Sequence, residues 1–290
     1  MRIAIRILVC ALCAALPLEV RGQWGRVEGS ALDIDINGNV CLLDAERNTL
    51  SLFDRTGRRL REVGGPGWLD GQFDRPAAVW ARNGIDVFVA DYGNHRIERF
   101  DRSLDFVASF STRGSDNPDE RFGYPTGVAL SRLGELFICD SENGRVLKVD
   151  RFSTVDRTFG GPGGGVGRLL SPRNVQIGPN DGVYVLDGER VAVFDAFGNY
   201  LHDLPSLARP LALYADENGI AVLDSGALSL FDGSERATGS IPLASIVPAG
   251  SDVRGVALHS GTVYLLTGGG LVTLPDPRAP SAVEKKSISH

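Results

Sequence analysis

An all-β fold of repeated four-stranded antiparallel units is what the sequence predicts, and three observations carry it. The segments VCLLD (40–44), VFVAD (87–91), LFICD (136–140), VYVLD (183–187), IAVLD (220–224) and VYLLT (263–267) align without gaps. Five end in aspartate (Asp44, Asp91, Asp140, Asp187 and Asp224), at spacings of 47, 49, 47 and 37 residues, and Thr267 follows 43 residues on in a degenerate sixth copy. A period of that size marks a repeat architecture. Second, each run is apolar at four consecutive positions rather than at alternate ones, as a strand buried on both faces requires. Third, 36 Gly and 15 Pro punctuate the chain, and after residue 22 no stretch of about ten residues keeps the 3.6-residue apolar period of a helix.

The first 22 residues stand apart from this pattern. Arg2 and Arg6 precede an uninterrupted apolar run, Ile7–Leu16, which Pro17 breaks; Val20 and Gly22 then occupy the positions before an expected cleavage. This is the layout of a secretory signal peptide, too short for a comfortable membrane span. The mature chain is therefore expected to be exported, periplasmic or extracellular, with no membrane insertion. Losing residues 1–22 removes three Arg and one Glu, so the formal net charge moves from −6 to −8. Such an acidic chain is not expected to bind nucleic acid.

Each repeat carries more than its apolar run. Before it, ALDIDINGN, AAVWARNGI, TGVALSRLGE, RNVQIGPNDG, LALYADENG and RGVALHSG read as an inner strand and a polar turn. After it, a polar loop leads to a third strand ending in LFD, RFD, KVD or VFD, and a Gly-containing turn to a fourth, as in GRRLREVG or GNYLHDLP. Gly, Asn, Asp and Pro stand where such turns need them. Four-stranded sheets buried on both sides pack radially, so the expected architecture is a six-bladed β-propeller over residues 23–276. The expected blades are Ser30–Pro76, Ala77–Pro125, Thr126–Pro172, Arg173–Pro210, Leu211–Gly250 and Ser251–Pro275. The sixth lacks a fourth strand, and Gln23–Glu28 is expected to supply it and close the ring, since an open sheet edge is a liability. Residues 277–290 read as a disordered tail. Cys41 and Cys139, the two cysteines of the mature chain, fall in blades that are not neighbours; they read as small buried hydrophobes rather than a disulfide.

The stretches FDRPAAVWARNGIDVFVADYGNHRIERFD (73–101) and FGYPTGVALSRLGELFICDSENGRVLKVD (122–150) resemble NHL repeats. The linking segments GGPGWLDGQFDRP and GGPGGGVGRLLSP match that family's Gly-rich passage between repeats. The resemblance runs over residues 31–275, strongest in the first three units, and implies an exported bacterial NHL repeat-containing propeller. The form D-x-x-N-x-R is present at Asp91, Asn94, Arg96 and at Asp140, Asn143, Arg145, and missing from blades four to six. By their chemistry, the repeated aspartates Asp44, Asp91, Asp140, Asp187 and Asp224 are expected to accept turn N–H groups, with Arg tying one loop to another.

Some related propellers are enzymes. Amidating lyases resemble this architecture and hold zinc with three histidines, but here His95, His202 and His259 are expected at three different blade positions, with His290 terminal. Gluconolactonase-type propellers hold a divalent ion at the axis; Asn174 occupies a similar position, but RPLALYADENG offers no matching acidic partner. No G-x-S-x-G elbow is present, and GGPGGGVG (160–167) lacks the Lys-Ser/Thr of a phosphate loop. No catalytic residue, metal or cofactor is expected on these grounds. The remaining candidate is a surface: Arg75, Trp80, Tyr124, Arg173, Arg209 and Arg254 are expected around the outer-to-inner crossovers on one axial face. Arg and aromatic residues dominate binding hot spots, and the set suits an anionic protein, peptide or glycan partner. A plainer account has these arginines solvated or paired with Asp33, Asp74 and Asp252, in a chain with 27 Arg against 3 Lys. The expected function is a binding or scaffold module; the alternative is a propeller hydrolase or lyase with an axial metal.

Overall fold

The computed structural model describes residues 22–24, 27–205 and 207–278; most of the expected signal peptide, and the tail beyond Arg278, lie outside them. The chain folds as six four-stranded antiparallel sheets, each a simple meander from inner to outer strand. They span residues 31–64, 78–110, 125–159, 172–203 and 210–242, with 253–275 forming three strands of the sixth. Inner strands of successive sheets lie against one another all the way round, the sixth against the first. Around the fourth position of the sixth sheet, Gly22 pairs with Thr273 and Gln23 with Val272, and the Trp24 amide donates to Leu271 O at 3.1 Å.

Burial follows the sequence pattern strand by strand. The second strands, such as Val40–Asp44, Glu135–Asp140 and Gly219–Asp224, are buried at almost every residue. Leu43, Val89, Ile138, Val185, Val222 and Leu265 lose all contact with solvent, each contributing about 1.5–3 kcal/mol by burial. The outer strands, such as Arg59–Gly64 and Ala237–Pro242, are mostly exposed. Blades I to V repeat an irregularity between third and outer strands, at Leu52/Phe53, Arg99/Phe100, Lys148/Val149, Val193/Phe194 and Leu230/Phe231. A bulge there increases the local twist of each sheet. Near the axis, blades III and IV approach so closely that a Cβ on Gly127 would lie 2.9 Å from Asn174 Cα.

The repeated aspartates fasten turns. Asp44 and Asp224 accept amides of their own turns, from Glu46 and Arg47 and from Gly226 and Ala227. Asp91, Asp140 and Asp187 instead reach the crossover arriving from the preceding blade, accepting from the amides of Asp74, Gly123 and Ser171. Arg96 donates to Asp91 and to the carbonyls of Trp68, Leu69 and Gln72, so one guanidinium holds a whole crossover. Arg145 does the same through Asp140 and Arg121 O. Blade IV lacks the D-x-x-N-x-R form but keeps its geometry, because Arg190 reaches both Asp187 and Arg168 O. Cys41 and Cys139 are buried and unbridged, and burial pushes both thiols up. Of the expected tail, Pro277 and Arg278 are described, and Arg278 donates to Phe231 O at 2.9 Å and pairs with Asp276 at 3.0 Å.

Candidate functional site

The six inner strands enter the ring at one end, where crossovers arrive, and leave at the other, where the first turn of each blade begins. Both ends open into an axial cavity. On the crossover side a cavity of about 160 Å³ is lined by the first residues of inner strands and by Arg173, Asn174 and Arg254. On the turn side a wider mouth of about 430 Å³ is lined by Ile34, Asp35, Trp80, Asp216, Glu217 and His259, among others. Arg82 lines both cavities.

Arg82 divides them. It follows the inner strand of blade II (Ala78–Trp80) and reaches across the axis. Its Nε pairs with Asp33 of blade I at 3.0 Å, Nη1 donates to Ala215 O of blade V, and Nη2 to Gln176 Oε1 of blade IV. The guanidinium lies 4.1 Å from the centre of the Tyr214 ring, a cation–π contact. Burial opposes its charge, but Asp33, Tyr214 and Asp216 together outweigh that and hold the pKa above the ordinary arginine value. Four blades thus meet at one side chain, which was not among the residues expected from sequence.

The structure separates the six expected binding residues into two pairs and two single residues. Arg173 and Arg254 come together at the crossover-side cavity. The register explains why: pairing skips from Pro172 to Asn174 and from Val253 to Gly255, so each arginine is the extra residue of a bulge, and bulges re-aim side chains. Arg173 Nη2 donates to Gly188 O and Pro210 O, both at 2.8 Å; Arg254 pairs with Asp252 at 2.7 Å and donates to Gly29 O.

Arg75 and Tyr124 form a second group. Arg75 lies 5.3 Å from the Tyr92 ring, Tyr92 is 5.0 Å from Tyr124, and His95 meets Tyr124 edge-on at 4.2 Å. The Tyr124 amide donates to His95 Nδ1 at 3.1 Å; burial and then Arg113 depress the His95 pKa, favouring the neutral ring that accepts this bond. Arg75 also pairs with Asp74 at 3.2 Å. Arg209, at the corresponding place before blade V, is four-fifths exposed and 3.7 Å from Glu189. Arg75, Tyr124 and Arg209 each precede a proline and take left-handed φ values of 51°, 49° and 54°, a conformation costly for residues with a side chain.

Trp80 belongs to neither group. It is buried at the far end of its inner strand, packs on Phe88 at 6.0 Å, and lines the turn-side mouth. Asp33, expected as a partner for the crossover arginines, is taken by Arg82 instead. The histidines stand apart: His95 beside Tyr124, His202 on an outer strand 2.9 Å from Glu235, and His259 at the turn-side mouth. Among the described residues no three His, Cys, Asp or Glu side chains are grouped to hold a metal ion. Asn174 Oδ1 accepts from Gln176 Nε2 at 2.8 Å.

The radial order, the four-stranded blades and the axial cavities define a six-bladed β-propeller. Residues 122–149 match the NHL repeat, so blade III of the propeller carries one. It is 30% identical over 140 residues to the Protein brain tumor of Drosophila melanogaster, a match covering 47% of this chain and 13% of that one. It is 29% identical over 105 residues to a probable peptidyl-alpha-hydroxyglycine alpha-amidating lyase of Caenorhabditis elegans, covering 35% of this chain and 29% of that one. The matches thus span less than a third of these relatives' lengths. Among solved structures, a streptogramin B lyase superposes with a TM-score of 0.63 at 11% identity, covering 87% of this chain and 96% of the other; at that identity the likeness is one of fold.

Proposed function

We propose that this NHL propeller is an exported binding module that recognises an acidic protein segment, peptide or glycan on its crossover face. The observation that carries the reading is that three guanidiniums, of Arg82, Arg173 and Arg254, line one axial cavity on that face. Arg82 is neutralised by Asp33 and Arg254 by Asp252, whereas Arg173 rests on carbonyls and keeps its full charge for a ligand. Around them the half-exposed Arg75–Tyr92–Tyr124 cluster and exposed Arg209 supply the residue types that dominate interface energetics. The left-handed backbone at Arg75, Tyr124 and Arg209 supports the same reading, because strained residues collect at functional sites. The apolar run Ile7–Leu16 behind two arginines supports export.

Replacing Arg75, Arg173 and Arg209 together by alanine should abolish partner pull-down while moving thermal stability little, since all three lie on the surface. Unaltered pull-down sinks the proposal. Metal analysis of the purified protein separates it from an enzyme with an axial ion: stoichiometric zinc or calcium would favour the hydrolase or lyase reading.

A further inference from the structure

The turn-side mouth differs in chemistry from the crossover face and is separate from the site proposed there. At about 430 Å³ it falls within the range of small-molecule sites, which are concave, largely apolar and carry a few convergent polar groups. One arc of its wall is aliphatic and aromatic: Ile34, Ile36, Trp80 and Leu130, from blades I to III. The first turns of the same three blades hold Ile36, Ile85 and Leu133 at 63%, 66% and 81% exposure. Ile36 lines the mouth, and Ile85 and Leu133 place further water-facing aliphatic side chains on the two following turns.

The opposite arc carries most of the carboxylates, beside Ile177 and Leu258. Asp181, Asp216 and Glu217 of blades IV and V face the mouth, with Asp35 beside the apolar arc. Arg132 reaches across to Asp181 at 3.1 Å and Glu217 at 3.5 Å and offsets one of these charges. Arg82, at the floor, is already matched by Asp33. His259 adds no cation near neutral pH, because burial and then Arg55 depress its pKa. Asp35 is held by the amides of Asn37 and Asn39 and by the Asn39 side chain, neutral donors that leave its charge in place. The mouth therefore carries an excess of negative charge along one side and an apolar wall along the other.

We propose that this mouth is a second binding site, for an amphipathic organic cation: one ammonium or guanidinium group on an apolar body. The cation lies toward Asp216 and Glu217, the body along Ile36, Trp80 and Leu130, over the Arg82–Tyr214 floor.

Calorimetric titration of the whole protein with hexyltrimethylammonium, and with hexanesulfonate of similar apolar length, tests this. The cation should bind at least about tenfold more tightly than the sulfonate, the difference expected for about one charge contact of 1.4 kcal/mol. Asp216→Asn/Glu217→Gln should weaken the cation about tenfold. Because Asp216 also accepts from Tyr214, Glu217→Gln alone, at an exposed position, serves as the variant that leaves packing untouched and should weaken it several-fold. Arg173→Ala/Arg254→Ala, on the other face, should leave the cation's affinity unchanged, so failure here is distinct from failure of the crossover-face reading. Equal binding of the two probes, no binding of the cation at millimolar concentration, or unchanged affinity in the Glu217 variant would overturn the proposal.

Discussion

The two mouths of the ring are built from the two ends of the same six inner strands, yet one is rich in guanidinium and the other in carboxylate and aliphatic groups. The difference comes from backbone geometry. On the crossover side, bulges at the strand entrances turn Arg173 and Arg254 toward the axis, and left-handed residues before proline hold Arg75, Tyr124 and Arg209. On the turn side, the residues at and just beyond the strand ends differ from blade to blade, giving Ile36 and Leu130 in some blades and Asp181 and Glu217 in others. A propeller can thus carry two unrelated surfaces on one axis, provided something separates them. Arg82 is that separator.

The largest effect should come from removing it. Arg82→Met leaves Asp33 buried and unpaired, and breaking a buried pair in this way costs about 3–5 kcal/mol. Combining it with Asp33→Asn should return much of the loss, read by denaturant unfolding. If Arg82→Met is as stable as the parent, the ring does not depend on this tie, and the partition between the mouths fails with it.

Next is pH, which should act on one face only. Glu98 lies beneath the crossover entering blade II, accepting from the Gly71 amide and from Arg96 Nη2 at 2.7 Å, while its Oε2 has no hydrogen-bond partner. Burial pushes its carboxyl up to about 8; Arg96 pulls the other way, but it is shared with Asp91 and three carbonyls. The folded state keeps a proton that the unfolded chain releases near 4.5. Its stabilising effect is therefore complete below about 4.5 and lost as pH rises through about 8. Thermal unfolding from pH 5 to 9 should show a decline that Glu98→Gln reduces. Ligand binding at the crossover face should weaken over the same range, with the turn-side mouth unaffected.

A third variant should touch both mouths alike. Trp24 packs on Phe53 of blade I at 6.0 Å while its amide is bonded to blade VI, so we infer that it seals the seam of the ring. Trp24→Ala, at a half-buried site, should cost about 2 kcal/mol; unchanged stability would show the seam held elsewhere. The smallest effect is a gain. Arg209→Gly removes the cost of a left-handed side-chain residue and should stabilise by up to about 1 kcal/mol in thermal unfolding, while weakening the crossover face.

The fold was legible because its signals are local. Four consecutive apolar residues, an aspartate and a glycine turn need no knowledge of the rest of the chain, and six copies fix the blade number. The crossover arginines were legible for the same reason, since they recur at two neighbouring places in the repeat. Arg75 and Arg209 stand just before a proline, and Arg173 and Arg254 just after the first inner-strand residue. Trp80 was grouped with them although it lies five residues beyond Arg75, and at about 3.3 Å per residue a strand carries it to the other end of the ring. Strand length alone could have placed it correctly. Arg82 gave no such signal: its partners are 49 residues back at Asp33, 94 on at Gln176 and 133 on at Ala215. Nor did the bulges, which exist only in the register between strands.

The most direct test is a crossed titration of the two mouths on one protein. Calorimetry with a hexaglutamate peptide and with hexyltrimethylammonium would be carried out on the parent, on Arg173→Ala/Arg254→Ala and on Asp216→Asn/Glu217→Gln. Two independent mouths of opposite charge preference predict that the arginine variant loses about tenfold in peptide affinity with the cation unchanged, and the acidic variant the reverse. Loss of both ligands in either variant, or of neither, would contradict it.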